Sequence, residues 1–154
     1  MIQRSQSLFL LFTLIVNLLM FFIPAAEIII PGDNSYMYYT EKVTRSINGE
    51  QCFMNYNIYS MILNIIIVLM PFVTIFIYKK RLLQIRLCVF NIVLMLGMAI
   101  MMYVQTSQTS QKLEADFILK TPMIFPIVGI IFTVLALRGI IKDITLLKSY
   151  DRIR

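Results

Sequence analysis

The sequence predicts an all-α integral membrane protein, with four transmembrane helices in one domain, 1–154, and a small extracytoplasmic β-hairpin in the first outer loop. Three observations predict it. Hydrophobic residues make up 59% of the chain and charged residues 14%, against about 25% charged in an ordinary soluble domain. A soluble protein of this size could not bury so much apolar surface behind so few charges. The charges are absent from four long stretches, and the basic residues gather on one side of the spans those stretches define. A soluble enzyme, a nucleic-acid-binding domain and a disordered tail are thereby excluded.

The charge-free stretches are Ser5 to Ala26, Gln51 to Tyr78, Leu87 to Gln111 and Thr121 to Leu137, of 22, 28, 25 and 17 residues. A helix needs roughly 20 apolar residues to cross a hydrocarbon layer about 30 Å thick. With polar ends trimmed, the predicted helices are 6–23, 58–78, 87–105 and 122–141. The fourth spans if Lys120 and Arg138 snorkel and Gly139 to Ile141 complete it. Membrane strands are excluded, since the runs are apolar on every face and do not alternate.

Four spans put both termini on one side. That side carries ten basic residues and two acidic ones; the other carries four basic and six acidic. The positive-inside rule then makes both termini cytoplasmic, and the net charge of +6 reflects insertion rather than nucleic-acid binding. The start could also be read as a cleaved signal peptide ending near Pro24-Ala25-Ala26. The apolar stretch from Leu8 to Ile23 is slightly long for that, so a retained first helix is expected.

The first outer loop, 24–57, opens on the turn signal Pro31-Gly32-Asp33-Asn34. Tyr36, Tyr38, Tyr39, Val43, Thr44 and Ile47 favour a strand. Asn48-Gly49 is a preferred pair for a type I′ turn. A hairpin of 36–47 with 50–56 is expected, beside the alternative of an irregular loop held by interfacial tyrosines. The second outer loop, 106–121, starts with the polar, low-complexity run Gln105-Thr-Ser-Gln-Thr-Ser-Gln111. A short helical or extended piece is expected at Leu113 to Leu119. The inner loop, Lys79 to Arg86, makes a tight helical hairpin.

Chemistry is sparse. No span holds a charged residue between its ends, although proton-coupled carriers need one. With no His, neither a Ser-His-Asp triad nor a His-bearing zinc site can form. Cys52 and Cys88 lie about a membrane thickness apart and cannot pair within one chain. No catalytic residue, cofactor or metal is expected. Asn17 and Asn64 each lie six residues from the outer end of their predicted helices, about 9 Å deep. They form a candidate interhelical polar pair, read as packing glue or as a polar substrate site. Asn91 lies on the inner side. Pro71 and Pro126 predict bends. Gly97 and Gly129 predict close helix contacts.

Beyond Gly139 no stop signal follows, so the fourth helix should run into a cytoplasmic tail, 142–154. Ile140, Ile144, Leu147 and Tyr150 share one face; Lys142, Thr145, Ser149 and Arg152 lie opposite. One reading is a helix resting on anionic lipid. The other is a docking tail for a partner, using Arg138, Lys142, Asp143, Leu147, Asp151, Arg152 and Arg154.

The start, Met1-Ile2-Gln3-Arg4-Ser5-Gln6-Ser7-Leu8-Phe9-Leu10-Leu11, is distinctive. So is the end, Arg138-Gly139-Ile140-Ile141-Lys142-Asp143, Leu147-Lys148-Ser149 and Asp151-Arg152-Ile153-Arg154. With four spans between them, the chain resembles the small four-helix inner-membrane proteins of the Bacteroidota catalogued as domain of unknown function 4293. The resemblance covers essentially the whole chain. It implies four helices, a bacterial inner membrane and a retained first helix, and brings no activity, cofactor or catalytic residue. The expected function is that of a non-enzymatic accessory or scaffold subunit of a larger inner-membrane assembly. The alternative is an oligomeric small-solute transporter or channel. Expected partners are membrane lipids and other inner-membrane proteins in a complex, with a homo-oligomer also open and no nucleic acid.

Overall fold

The computed structural model describes residues 3–30, 34–40, 42–47, 50–77, 80–112 and 116–151. Four helices carry the architecture: α1 (Gln3–Leu19), α2 (Ile58–Phe76), α3 (Arg81–Lys112) and α4 (Phe125–Asp151). Helices α2, α3 and α4 are long and apolar enough to cross a membrane; the apolar part of α1, Gln6–Leu19, is shorter. Each helix packs on two neighbours, in the ring α1–α2–α3–α4 and back to α1. This is a multi-pass helical membrane protein.

The burial pattern explains the ring. Buried positions recur in steps of three and four: Gln6, Leu10, Thr13, Asn17 and Met20 on α1 and its exit turn; Ser60, Asn64, Ile67, Pro71 and Thr74 on α2. On α3 they are Gln84, Cys88, Asn91, Met95, Met98 and Met102, and on α4 Thr133, Ala136, Ile140 and Asp143. That is a heptad-like seam of small, polar and flexible side chains. Many large apolar side chains point outward, among them Leu8, Phe12, Leu69, Phe72, Val93, Ile100, Ile127 and Ile131. Polar seams inside an apolar surface suit lipid as solvent.

The helix ends depart from the sequence reading for identifiable reasons. Helix α1 stops at Leu19 rather than Ile23, and residues Met20 to Ile23 unwind through bonds such as Met20 N to Asn17 O, 3.2 Å. Pro24 disfavours helix in the residue before it. Helix α2 starts at Ile58 as expected. Helix α3 starts at Arg81, six residues early, and includes the polar run to Lys112. Helix α4 follows a 3-10 turn, Thr121–Ile124, and continues to Asp151. Pro126 therefore lies in the first turn of α4, where its missing N–H disrupts no bond. Of the two expected close contacts, Gly97 has open space around it. A Cβ on Gly129 would lie 3.1 Å from Asn17 Nδ2 and 3.2 Å from Met95.

One end of the bundle carries a five-stranded antiparallel sheet: β1 (Ala26–Ile30), β2 (Asn34–Tyr38), β3 (Lys42–Ile47), β4 (Glu50–Tyr56) and β5 (Asp116–Leu119), in the order β4-β3-β2-β1-β5. This corrects the expected isolated hairpin of 36–47 with 50–56. The first arm is two strands, broken where Tyr39 N bonds Lys42 O at 2.8 Å. Residues 50–56 pair with 42–47, across an irregularity at Val43/Thr44. The turn residues Asn48 and Gly49 lie outside the described residues. Strand β1, read as loop, is the junction: it pairs with β2 from its own loop and with β5 from the other.

The strands run away from the bundle. Ala26 is buried in one cluster with Met20, Met98 and Met102. Thr40, in the β2–β3 turn, donates to Met20 O at 3.2 Å. Strand β4 ends one residue before α2, and Lys120 N, after β5, donates to Ala25 O at 2.9 Å. From Met102 to Lys112 α3 rises about 15 Å. A five-residue strand spans about the same. The polar end of α3 thus climbs beside β5, with the small side chains of Thr106 and Ser110 buried.

Candidate functional site

Polar side chains gather at three levels of the seam. At the tail end, Gln6 Nε2 donates to Asp143 Oδ2 at 2.7 Å. Arg81 Nη1 lies 3.6 Å from the same oxygen. Asp143 is 7% exposed, so this carboxylate ties α1, α3 and α4 together from inside. Gly139 makes room, since a Cβ there would stand 2.8 Å from Gln6 Cγ. Gln84 Nε2 donates to Thr74 O at 3.0 Å and closes the α2–α3 corner.

At mid-depth Thr13 and Thr133 hydroxyls are 3.4 Å apart between α1 and α4, while each also donates to a carbonyl of its own helix. Asn17 Nδ2 donates to Thr13 O at 2.7 Å. Asn64 and Asn91 are buried, and their side-chain polar atoms have no protein hydrogen-bond partner. The expected Asn17–Asn64 bond therefore does not form. The depth argument assumed helix ends at Ile23 and Ile58. With α1 ending at Leu19, Asn17 is about 3 Å from its helix end and Asn64 about 9 Å from its own. Asn17 satisfies itself on the carbonyl one turn back.

At the sheet end, Ser60 Oγ donates to Gln105 Oε1 at 2.7 Å, joining α2 to α3. Lys120 Nζ pairs with Glu27 Oε2 at 2.7 Å, joining the start of α4 to β1. From Arg81 to Met102 the rise along α3 is about 32 Å. That is about the thickness of one hydrocarbon layer.

The tail divides. Arg138 and Lys142 are exposed on α4. Asp143 is turned inward, which takes it off the expected docking surface. Ile140 and Ile144 pack with Leu10, Cys88 and Ala136, so the start of the tail's apolar face covers its own bundle. The side chains of Leu147 and Asp151, and all of Arg152 and Arg154, lie outside the described residues. Among the described residues no three His, Cys, Asp or Glu are grouped as for a metal. Cys88 is buried in the tail-end cluster, and Cys52 lies on β4 in the sheet at the opposite end. Sequence reasoning missed the Gln6–Asp143–Arg81 cluster. The signal was present: Gly129, Thr133, Ala136, Ile140 and Asp143 follow one another at seam spacing.

The chain matches the family described as Domain of unknown function (DUF4293) over residues 2–153, and it belongs to that family. No curated protein matches it.

Proposed function

We propose that this protein is a non-enzymatic accessory or scaffold subunit of a larger assembly in a bacterial inner membrane, with both termini cytoplasmic and the sheet outside. The observation that carries the reading is the edge strand β4. It spans seven residues, Glu50–Tyr56, and among the described residues it pairs on one side only, with β3. An open edge offers a row of backbone donors and acceptors, and recruits an extended segment of another chain by strand addition. Its sequence, Glu-Gln-Cys-Phe-Met-Asn-Tyr, holds no Lys or Pro of the kind that blunts edges. The bundle beneath, tied together at both ends, supplies a rigid base. The exposed Arg138 and Lys142 leave a second, basic surface on the cytoplasmic side.

The alternative, an oligomeric transporter or channel for a small solute, draws on Asn64 and Asn91, two buried amides without a protein partner. One experiment separates the two. The full chain carries a photo-crosslinking residue at 51, 53 or 55, is extracted in mild detergent, and is examined by mass spectrometry. Stoichiometric recovery of one heteromeric complex, crosslinked through β4, is expected. A pure homo-oligomer with no crosslink from β4 would overturn the accessory reading in favour of the transporter.

A further inference from the structure

We propose that the groove where α1 and α4 meet the sheet binds a zwitterionic aminophospholipid, its phosphate on Lys120 and its ammonium on Glu27. The groove is open, has a volume of about 430 Å³, and is lined by Ile23, Pro24, Lys120, Thr121, Pro122 and Phe125. Its walls are apolar apart from Lys120 and Thr121. Lys120 and Glu27 are 2.7 Å apart, with side chains 35% and 26% exposed. Lys120 lines the groove, and Glu27 stands beside it as its ion-pair partner.

Depth fixes the class of ligand. The groove opens where α1 unwinds and the 3-10 turn before α4 begins, at the level of Lys120, which bounds the fourth charge-free stretch. That is the headgroup level of the leaflet on the sheet side. Apolar walls beside a charged pair match a lipid, with acyl carbons against the walls and the headgroup at the pair.

Charge fixes the headgroup. A lysine alone would favour any anionic lipid. Here the carboxylate beside it cancels that preference, since Glu27 repels an anionic head about as strongly as Lys120 attracts it. A headgroup carrying both charges meets a partner for each. An ammonium has three donors, and the bond to Glu27 uses one of those of Lys120, so the phosphate can be bound without breaking the pair. On the lipid, a primary ammonium can donate to Glu27 while a quaternary one cannot, which separates ethanolamine from choline heads.

Native mass spectrometry of the full-length protein tests this. The protein is released from nanodiscs of equimolar phosphatidylethanolamine, phosphatidylcholine and phosphatidylglycerol. Phosphatidylethanolamine is expected to be retained about five-fold over phosphatidylcholine, the effect of one partly exposed charged contact. Glu27→Gln keeps a hydrogen-bonding group beside Lys120. It should abolish that preference and shift retention towards phosphatidylglycerol. Phe125→Trp narrows the groove without touching the ion pair, and should lower retention of all three lipids. Equal retention of the three by the wild type, or an ethanolamine preference that survives Glu27→Gln, would overturn the proposal.

Discussion

Removing Gln6 from Asp143 should loosen the tail end of the bundle by a predictable amount. The bond is 2.7 Å long and ends on a carboxylate, the short, charge-assisted kind. In soluble proteins such bonds contribute about 1.5–3 kcal/mol. Within membranes, interhelical hydrogen bonds average only about 0.6 kcal/mol and reach about 1.7. Asp143 sits at the boundary between these regimes, buried yet level with Arg81. Arg81 cannot replace the lost bond. Its Nη1 is 3.6 Å from the oxygen, and its side chain is 26% exposed, so its attraction is screened by water. Gln6→Leu should therefore destabilise by about 1–1.5 kcal/mol. The clean quantity is the coupling in a Gln6→Leu, Asp143→Leu cycle, expected near 1 kcal/mol. Reversible unfolding in mixed micelles with increasing sodium dodecyl sulfate, followed by circular dichroism, measures it. A coupling below about 0.3 kcal/mol would refute the reasoning, since that is the level expected of unconnected residues.

Three further outcomes are expected. In a variant lacking both native cysteines, Lys112→Cys should be labelled by a membrane-impermeant maleimide from the side opposite the termini; labelling only from the cytoplasm would reverse the topology. Cys88 is 1% exposed, so in the folded protein it should resist maleimide and react fully once detergent unfolds the bundle; equal rates in both states would show that the α1–α3–α4 packing around it is wrong. Asn64→Leu removes no protein hydrogen bond and should change stability by no more than about 0.5 kcal/mol, with no coupling to Asn17; a coupling near 1 kcal/mol in the same unfolding assay would show that the two amides do meet.

How much of this was legible follows from which forces act locally. The four helices were, because insertion into lipid is decided by runs of apolar residues; three of them are long enough to span and the first is shorter. The start of α2 at Ile58 was read correctly. Strand β1 was not. Ala26-Glu27-Ile28-Ile29-Ile30 continues the apolar run of α1, and only pairing with two other strands makes it extended. The helical state of Thr106 to Lys112 was hidden for the opposite reason. Gln, Thr and Ser carry little helical signal, and it is the sheet alongside that uses their small size. Asp143 was misread because a charged residue in a tail was given to solvent, although its spacing from Ala136 and Ile140 placed it on the buried stripe.

The geometry of the sheet also bears on which partner β4 can take. Two copies inserted the same way in one membrane are related by an axis along the membrane normal. Two neighbouring antiparallel strands of one sheet are related by an axis perpendicular to that sheet. All five strands have one end at the bundle, at Ala26, Thr40, Tyr56 or Lys120. The sheet therefore stands upright on the bundle, and an axis perpendicular to it lies in the membrane plane. Antiparallel pairing of β4 with the β4 of a second copy would then require that copy to be inserted upside down. The charge asymmetry, ten basic residues on the side of the termini against four on the other, opposes that orientation. An antiparallel strand laid along β4 is accordingly not the β4 of a second copy inserted the same way. This separates the edge from the symmetric edge-to-edge pairing by which many soluble sheets form dimers.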